Sequence, residues 1–401
     1  MKQTFPLGRV AGIRIGAHWS ALIMVLLFGW VLGDQVLPSM VAHVPATARW
    51  TAAIVGALAL AAALLAHELA HALTARHYGV PVRSITLWAL GGVSELGDEP
   101  PSARSDFWIA VAGPAASFGA AALFGGVAAA VHAAGWPAVA VAELGWLAAM
   151  NVLLGLFNLL PGAPLDGGRV LRAALWWRCG NRARAAQSAA EAGRILGMVL
   201  AAAGVAEVLL WREAGGLWLI LIGVFVANAA SAEGAAERAS TALAGRRVRD
   251  VMKPDPEIGA TWMTVGEFFQ HVALRSDQDV FPVVDAEMSL AGVVGVGGLG
   301  RIPRDRWPRT TLGQTMARVP PAYVAAPDDP AAPLLRHPPL AADLLAVVIE
   351  DRRIVGIVTR ARLVRIVERE RLRAPAPARD GSALAADWNP RRSEARVSRH
   401  E

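Results

Sequence analysis

Six stretches of this chain are apolar for about 20 residues or more, the length needed to cross a hydrocarbon core of roughly 30 Å. They lie near residues 17–38, 50–75, 105–132, 138–160, 192–211 and 216–235. A chain built this way is expected to be a polytopic α-helical membrane protein of about six transmembrane helices. Composition agrees: 54% apolar and 18% charged side chains exclude overall disorder, a collagen and a small disulfide scaffold. The single cysteine, Cys179, can form neither an internal bridge nor a cysteine metal cluster. Any metal site must therefore draw on histidine and carboxylates.

The net charge of +6 comes almost wholly from arginine, because Lys2 and Lys253 are the only lysines. In so apolar a chain this reads as an attraction to anionic lipid rather than to nucleic acid. The first apolar run follows Arg9 and Arg14 and lacks a small-residue cleavage site, so it is expected to be a retained helix. With residues 1–16 inside, the inner loops at 76–104 and 161–191 carry Arg76, Arg83, Arg104, Arg169, Arg172, Arg178, Arg182 and Arg184. The outer loops hold only Arg49 and Arg212. The positive-inside rule then puts both termini in the cytoplasm of a multi-pass cell-membrane protein. Trp136, Trp146, Trp176, Trp177, Trp211 and Trp218 sit near span ends, as an interfacial belt would.

After about residue 240 the composition changes to short Val/Ile runs, such as 280–284, 347–349 and 354–358, separated by helix-like stretches with Pro, Asp and Gly at the joints. This predicts a soluble α/β domain. From 372 onward Ala-Pro repeats and charged residues leave little to bury, as in a disordered tail. The domain reading is therefore 1–16 as cytoplasmic N-terminus, 17–235 as six-span domain, 246–371 as α/β domain and 372–401 as tail.

The chemistry is concentrated in the second apolar run, where His67-Glu68-Leu69-Ala70-His71 forms a HExxH motif near its cytoplasmic end. Residues four apart share a helix face, so the two imidazoles can hold one cation together. Glu68 then stands beside the metal, where it can take a proton from water. Three ionisable side chains in five residues each carry an insertion penalty of roughly 2–3 kcal/mol or more in a membrane, which a purely structural helix gains nothing by bearing. Among the other histidines, His18, His43, His77, His132, His271 and His337 are isolated and read as surface or interfacial residues.

Two histidines leave a catalytic zinc one protein ligand short. The fourth run ends in Asn158-Leu159-Leu160-Pro161-Gly162-Ala163-Pro164-Leu165-Asp166-Gly167-Gly168, which breaks the helix and brings one carboxylate to membrane depth. Irregular backbone is tolerated there only where protein or a wet cavity covers it. Asp166 is the expected third ligand, the alternative being a cytoplasmic turn in which it caps the next helix.

His67-Glu68-x-x-His71, the Gly91-Gly92 pair, Ala112-Gly113-Pro114 and the segment Asn158 through Gly168 together resemble the site-2 protease family of intramembrane zinc metalloproteases, over roughly residues 10–235. The resemblance implies one zinc per chain on His67, His71 and Asp166, with Glu68 as general base. It further implies that Asn158 helps to hold the site or the tetrahedral intermediate, and that the substrate is a transmembrane protein segment. One departure is Ser117, where some relatives have Asn, and it bears on a secondary polar contact. A peptide bond inside a transmembrane helix is shielded by its own hydrogen bonds, so a substrate must unwind locally and find new backbone partners. The stretch 82–93 has strand composition, and with Gly91 and Gly92 allowing close approach it could add a strand to the extended substrate. Alternatively it is a surface hairpin anchored by Trp88.

In the soluble half, Arg249-Asp250-Val251-Met252-Lys253-Pro254, Thr311-Leu312-Gly313-Gln314-Thr315-Met316 and Gly356-Ile357-Val358-Thr359-Arg360-Ala361-Arg362-Leu363 resemble a pair of cystathionine-β-synthase (CBS) repeats. The resemblance implies adenine-nucleotide binding through an acidic residue after the Gly-x-x-Thr step, but that place holds Arg362, and 292–300 lacks both the Thr/Ser and the acid. A nucleotide sensor and a docking or homodimerising module both remain open. The match of 295–300 to G-x-G-x-x-G is weak for a dinucleotide site, because Pro303 and Pro308 follow rather than a helix. The expected function is intramembrane endoproteolysis of membrane-anchored proteins. The alternative is a non-catalytic sensor or transporter gated by the repeats, which would be expected to show internal repeats and a polar path across several spans.

Overall fold

The computed structural model describes residues 4–89, 91–96, 99–212 and 215–373. Six helices among them are long and apolar enough to cross a membrane: Ser20–Met40, Ala46–His77, Ala103–Ala133, Ala138–Asn158, Arg182–Trp211 and Gly215–Leu243. Their starts follow local chemistry. Ser102 caps the third helix by accepting from the Ser105 amide, and Asn181 caps the fifth by accepting from the Arg184 amide. Pro45 and Pro137 precede the second and fourth, where a missing N–H costs no helical bond.

The fifth helix begins at Arg182 rather than near 192, and the stretch 161–191 contains a further helix, Asp166–Cys179, closed by Gly180 at φ 65°. Hydropathy sees only apolar residues, whereas Arg, Gln, Glu and Ala extend a helix beyond the bilayer as readily as Leu does.

Leu22, Leu26, Ile54, Leu58, Leu123 and Leu153 are all more than half exposed on these helices. A water-soluble surface does not gather so much aliphatic area, whereas acyl chains solvate it at no cost. Between helices, where lipid gives no hydrophobic drive, close backbone approach replaces it. A Cβ on Gly197 would lie 2.5 Å from the Ala227 nitrogen, and one on Gly223 would lie 2.4 Å from that of Ala201. The fifth and sixth helices meet along this glycine seam.

The chain divides into two compact units, Met1–Glu237 and Arg238–Glu401. Besides its helices the first contains a sheet of strands β1 (Phe5–Val10), β2 (Ile13–Ala17), β3 (Val82–Trp88) and β4 (Gly91–Leu96), in that spatial order. β2 and β3 run parallel with Ile15 opposite Ile85, and β3 and β4 form an antiparallel hairpin with Trp88 opposite Gly91. Buried Ile13 and Ile85 pack with Ala72, Leu65 and Leu69. The sheet is thereby pressed onto the turns of the second helix that carry the HExxH motif.

The second unit repeats one pattern twice. β6 (Gly259–Ala260) runs parallel to β7 (Val280–Val284), which pairs antiparallel with β8 (Leu290–Gly295). Likewise β9 (Val324–Ala325) runs parallel to β10 (Leu344–Glu350), which pairs antiparallel with β11 (Arg353–Thr359); Lys253–Pro254, as β5, joins the outer edge of β11. Phe268 and Phe281, edge to face at 5.0 Å, anchor the core of the first half. Leu243, the last residue of the sixth long helix, is fully buried with Val248, Val251, Leu345 and Val348 in the core of the second half. The glycine run 295–300 follows an antiparallel hairpin and opens a helix of four residues, Val296–Leu299, which is not a dinucleotide-binding βαβ unit. The expected tail lies, from residue 374 on, outside the described residues.

Candidate metal centre

His67 and His71 occupy successive turns of the second helix and are only 2% and 5% exposed. The fourth helix ends at Asn158, and Asp166 opens the helix Asp166–Cys179 at its first turn. The cap position before it belongs to Leu165, and no side chain makes a cap hydrogen bond there, so Asp166 is not acting as an ordinary helix cap. Its carboxylate turns instead to the histidines. Oδ2 lies 3.2 Å from His67 Nε2 and 3.1 Å from His71 Nε2, and the two Nε2 atoms are 3.2 Å apart. Among the described residues this is the one group of histidines, cysteines and carboxylates able to hold a metal ion.

The loop between Asn158 and Asp166 is held in place by close backbone contacts. The Ala163 amide donates to the Ala189 carbonyl on the fifth helix at 3.1 Å. A Cβ on Gly162 would meet the backbone of Gly193 at 2.5 Å, and one on Gly167 would meet the Leu159 carbonyl at 2.3 Å. Glycine at these positions lets irregular backbone pack at depth against protein rather than lipid.

The triangle suits a small tetrahedral cation. With zinc–ligand distances of about 2.0–2.1 Å, tetrahedral ligand atoms stand about 3.3 Å apart, close to the edges found here. The donor chemistry agrees. His71 Nδ1 lies 2.6 Å from the Ile109 carbonyl, which can only accept, so that nitrogen carries the proton and Nε2 offers its lone pair. His67 Nδ1 lies 2.9 Å from Ser117 Oγ. Space is left on the same side: a Cβ on Gly113 would fall 2.1 Å from His71 Nε2 and 2.6 Å from His67 Nε2. The third helix thus brings bare backbone to the mouth of the triangle.

Glu68 is half-buried, and Gly92 of the β3–β4 hairpin lies against it, since a Cβ there would meet Glu68 Cγ at 2.2 Å. Gly91 has φ 142°, which favours glycine. The hairpin is an edge of its sheet, with β4 outermost. Asn158 is not drawn into the triangle: its Nδ2 donates to the Leu154 carbonyl of its own helix at 3.1 Å.

Two features carried no motif. Ser117, fully buried, touches His67. Asp106 and Arg172 form a buried two-pronged pair, Nε to Oδ2 at 2.8 Å and a second guanidinium nitrogen to Oδ1 at 2.7 Å. Burial alone would loosen the Arg172 proton, and the Asp106 carboxylate reverses this, holding the guanidinium charged. The pair ties the start of the third helix to the helix that Asp166 opens. In the sequence, Arg172 counted only as one more inner-loop cation.

Fold and site together define a class, the metalloproteases whose active centre lies within membrane-spanning helices. Comparison with known proteins agrees: the model of peptidase family M50 matches residues 55–134 and 124–201. Rip3 of Mycobacterium tuberculosis, named as a zinc metalloprotease, is 41% identical over 388 residues, covering 96% of this chain and 98% of Rip3. The solved site-2 protease of Methanocaldococcus jannaschii is 29% identical, covering 57% of this chain and 94% of that one with a TM-score of 0.39. The CBS domain of a membrane protein from Sphaerobacter thermophilus is 22% identical, covering 34% of this chain and 97% of that one with a TM-score of 0.28. On the strength of its near-full-length likeness to Rip3, the chain belongs to peptidase family M50 and is a zinc metalloprotease. The transporter alternative falls with that assignment.

Proposed function

We propose that this protease hydrolyses peptide bonds within the transmembrane segments of membrane-anchored proteins, using one zinc ion per chain held by His67, His71 and Asp166. The observation that carries the reading is the triangle of ligand atoms at the end of a spanning helix, with a carboxylate next to it in sequence. When bound, zinc lowers the pKa of water toward neutrality and polarises the scissile carbonyl. Glu68 accepts the proton of the attacking water and delivers it to the leaving amine. Asn158 is read as a helper that turns from its own helix toward the intermediate once substrate is present. The outer edge of β4, opening on Gly91 and Gly92 with Gly92 against Glu68, supplies hydrogen bonds to a locally unwound substrate strand. Both termini are read as cytoplasmic, with the six spans in the plasma membrane. The working domain boundaries are 17–235 for the protease and 246–371 for the appended domain.

The second unit is read as a CBS pair that regulates or dimerises the enzyme. It contains a cleft of about 700 Å³ whose lining includes Lys253, Asp277, Gln278, Thr359, Arg362 and Arg365. Arg362 stands where a ribose-binding acid would be needed and donates through Nε to the Val251 carbonyl at 2.8 Å. An adenine nucleotide at this cleft would be held chiefly through its phosphates, and a purely dimerising role follows if none binds.

The decisive variant is Glu68→Gln. It removes the base and leaves all three ligands, so cleavage of a single-span model substrate should fall by about 10²–10⁴-fold. Metal analysis of the same preparation should find zinc unchanged. Full activity in that variant would exclude the mechanism.

A further inference from the structure

We infer that Ser117 is a positioning residue for the metal: its hydroxyl fixes the ring orientation in which His67 presents Nε2, and it accepts the Nδ1 proton that a cation on Nε2 requires. This rests on the ligand set proposed above. The two histidines are held differently on their far sides. His71 meets a backbone carbonyl, whose demand for a proton admits one tautomer. His67 meets the Ser117 hydroxyl at 2.9 Å, which can donate or accept. Its tautomer is therefore decided by what Nε2 binds. A cation on Nε2 requires the proton on Nδ1, and Ser117 Oγ is then its acceptor.

The surroundings make this contact matter. Ser117 is 0% exposed, so no water competes for the imidazole. On its Nε2 side the ring faces Gly113, which has no side chain to hold it. Asp106, Gly113 and Ser117 recur at spacings of seven and four, one stripe of the third helix. That helix supplies no ligand. One end of its stripe ties down the helix of Asp166 through Arg172, and the other holds His67. Partners on the far nitrogen of a ligating histidine are typically worth 10–100-fold in metal affinity.

The test is a zinc titration of the full-length protein in detergent micelles against a chelator of known affinity, with melting of the metal-free protein measured alongside. Ser117→Ala is expected to weaken zinc binding by about 10–100-fold while the metal-free protein melts as wild type. Ser117→Thr, which keeps an oxygen on Cβ, is expected to bind as wild type. Zinc affinity within twofold of wild type in Ser117→Ala overturns the inference. A metal-free melting temperature that falls in step with affinity also overturns it, because Ser117 would then be packing the helix rather than orienting the ring. If wild type itself binds no zinc, the failure belongs to the ligand set, and this inference falls with it.

Discussion

Gly113 contributes to the centre by what it lacks. A methyl there would stand 2.1 Å from His71 Nε2, inside the space that a shared ion needs. Gly113→Ala is expected to bring zinc down to background in purified protein while His67, Glu68, His71 and Asp166 remain in the chain. A zinc-loaded Gly113→Ala would mean that the ion is bound elsewhere. Removing a proposed ligand acts more directly: His67→Ala, His71→Ala or Asp166→Ala should each lower the metal content, whereas Glu68→Gln should not. The HExxH spacing made three of these residues legible, because a period of 3.6 puts positions four apart on one face whatever the rest of the chain does. Ser117 was not legible as a partner of His67. Fifty positions separate them, and only packing of two helices brings them to 2.9 Å.

Among elements, the helix Asp166–Cys179 carries Asp166 to the triangle yet opens on Asp166-Gly167-Gly168, a start with little propensity-based support. Its anchor is the buried pair of Arg172 with Asp106. Truncating Arg172 leaves the buried Asp106 carboxylate unpaired, at a cost of about 3–5 kcal/mol, and truncating Asp106 leaves Arg172 only the more distant Glu233 at 3.8 Å, whereas replacing both with apolar residues of similar volume costs much less. Asp106→Leu and Arg172→Met should each sharply lower the thermal midpoint in detergent, and the double variant should recover most of it. Equal losses for single and double variants would show that the pair is not coupled. The sequence led to a loop over 161–191 because hydropathy reports where a chain meets lipid, not where it is helical. The β3–β4 hairpin was legible from its β-branched residues and glycine pair. Its parallel pairing with β2, some 70 residues away, was not, since nothing local specifies a non-local partner.

For the molecule as a whole, the proposed regulatory role of the second unit is open to a direct test. The sixth long helix ends at Leu243, which is fully buried in the core of the second unit. A ligand of the second unit can change proteolysis only through its differential affinity for two arrangements, and a tenfold change needs about 1.4 kcal/mol. Truncation after about residue 245 is expected to leave zinc bound and some cleavage intact while altering its rate or its response to adenine nucleotides. Identical rates for truncated and full-length protein, with and without nucleotide, would leave dimerisation or docking as the role of the repeats.

Length and polarity of the apolar runs were enough to determine six spanning helices, because lipid leaves a chain no other way to satisfy its backbone than within each segment. The HExxH motif needed only helical periodicity, and the α/β character of the second unit needed only its Val/Ile runs and their joints, whereas its doubling was read from the resemblance to CBS repeats. Tertiary structure alone decided that Asp166 faces His67 and His71, 99 and 95 positions away. It also decided that bare backbone at Gly113 opens room for a metal, and that Asn158 bonds to its own helix. Each is a contact between segments distant in sequence, and its formation depends on how helices pack, a quantity that no single segment encodes.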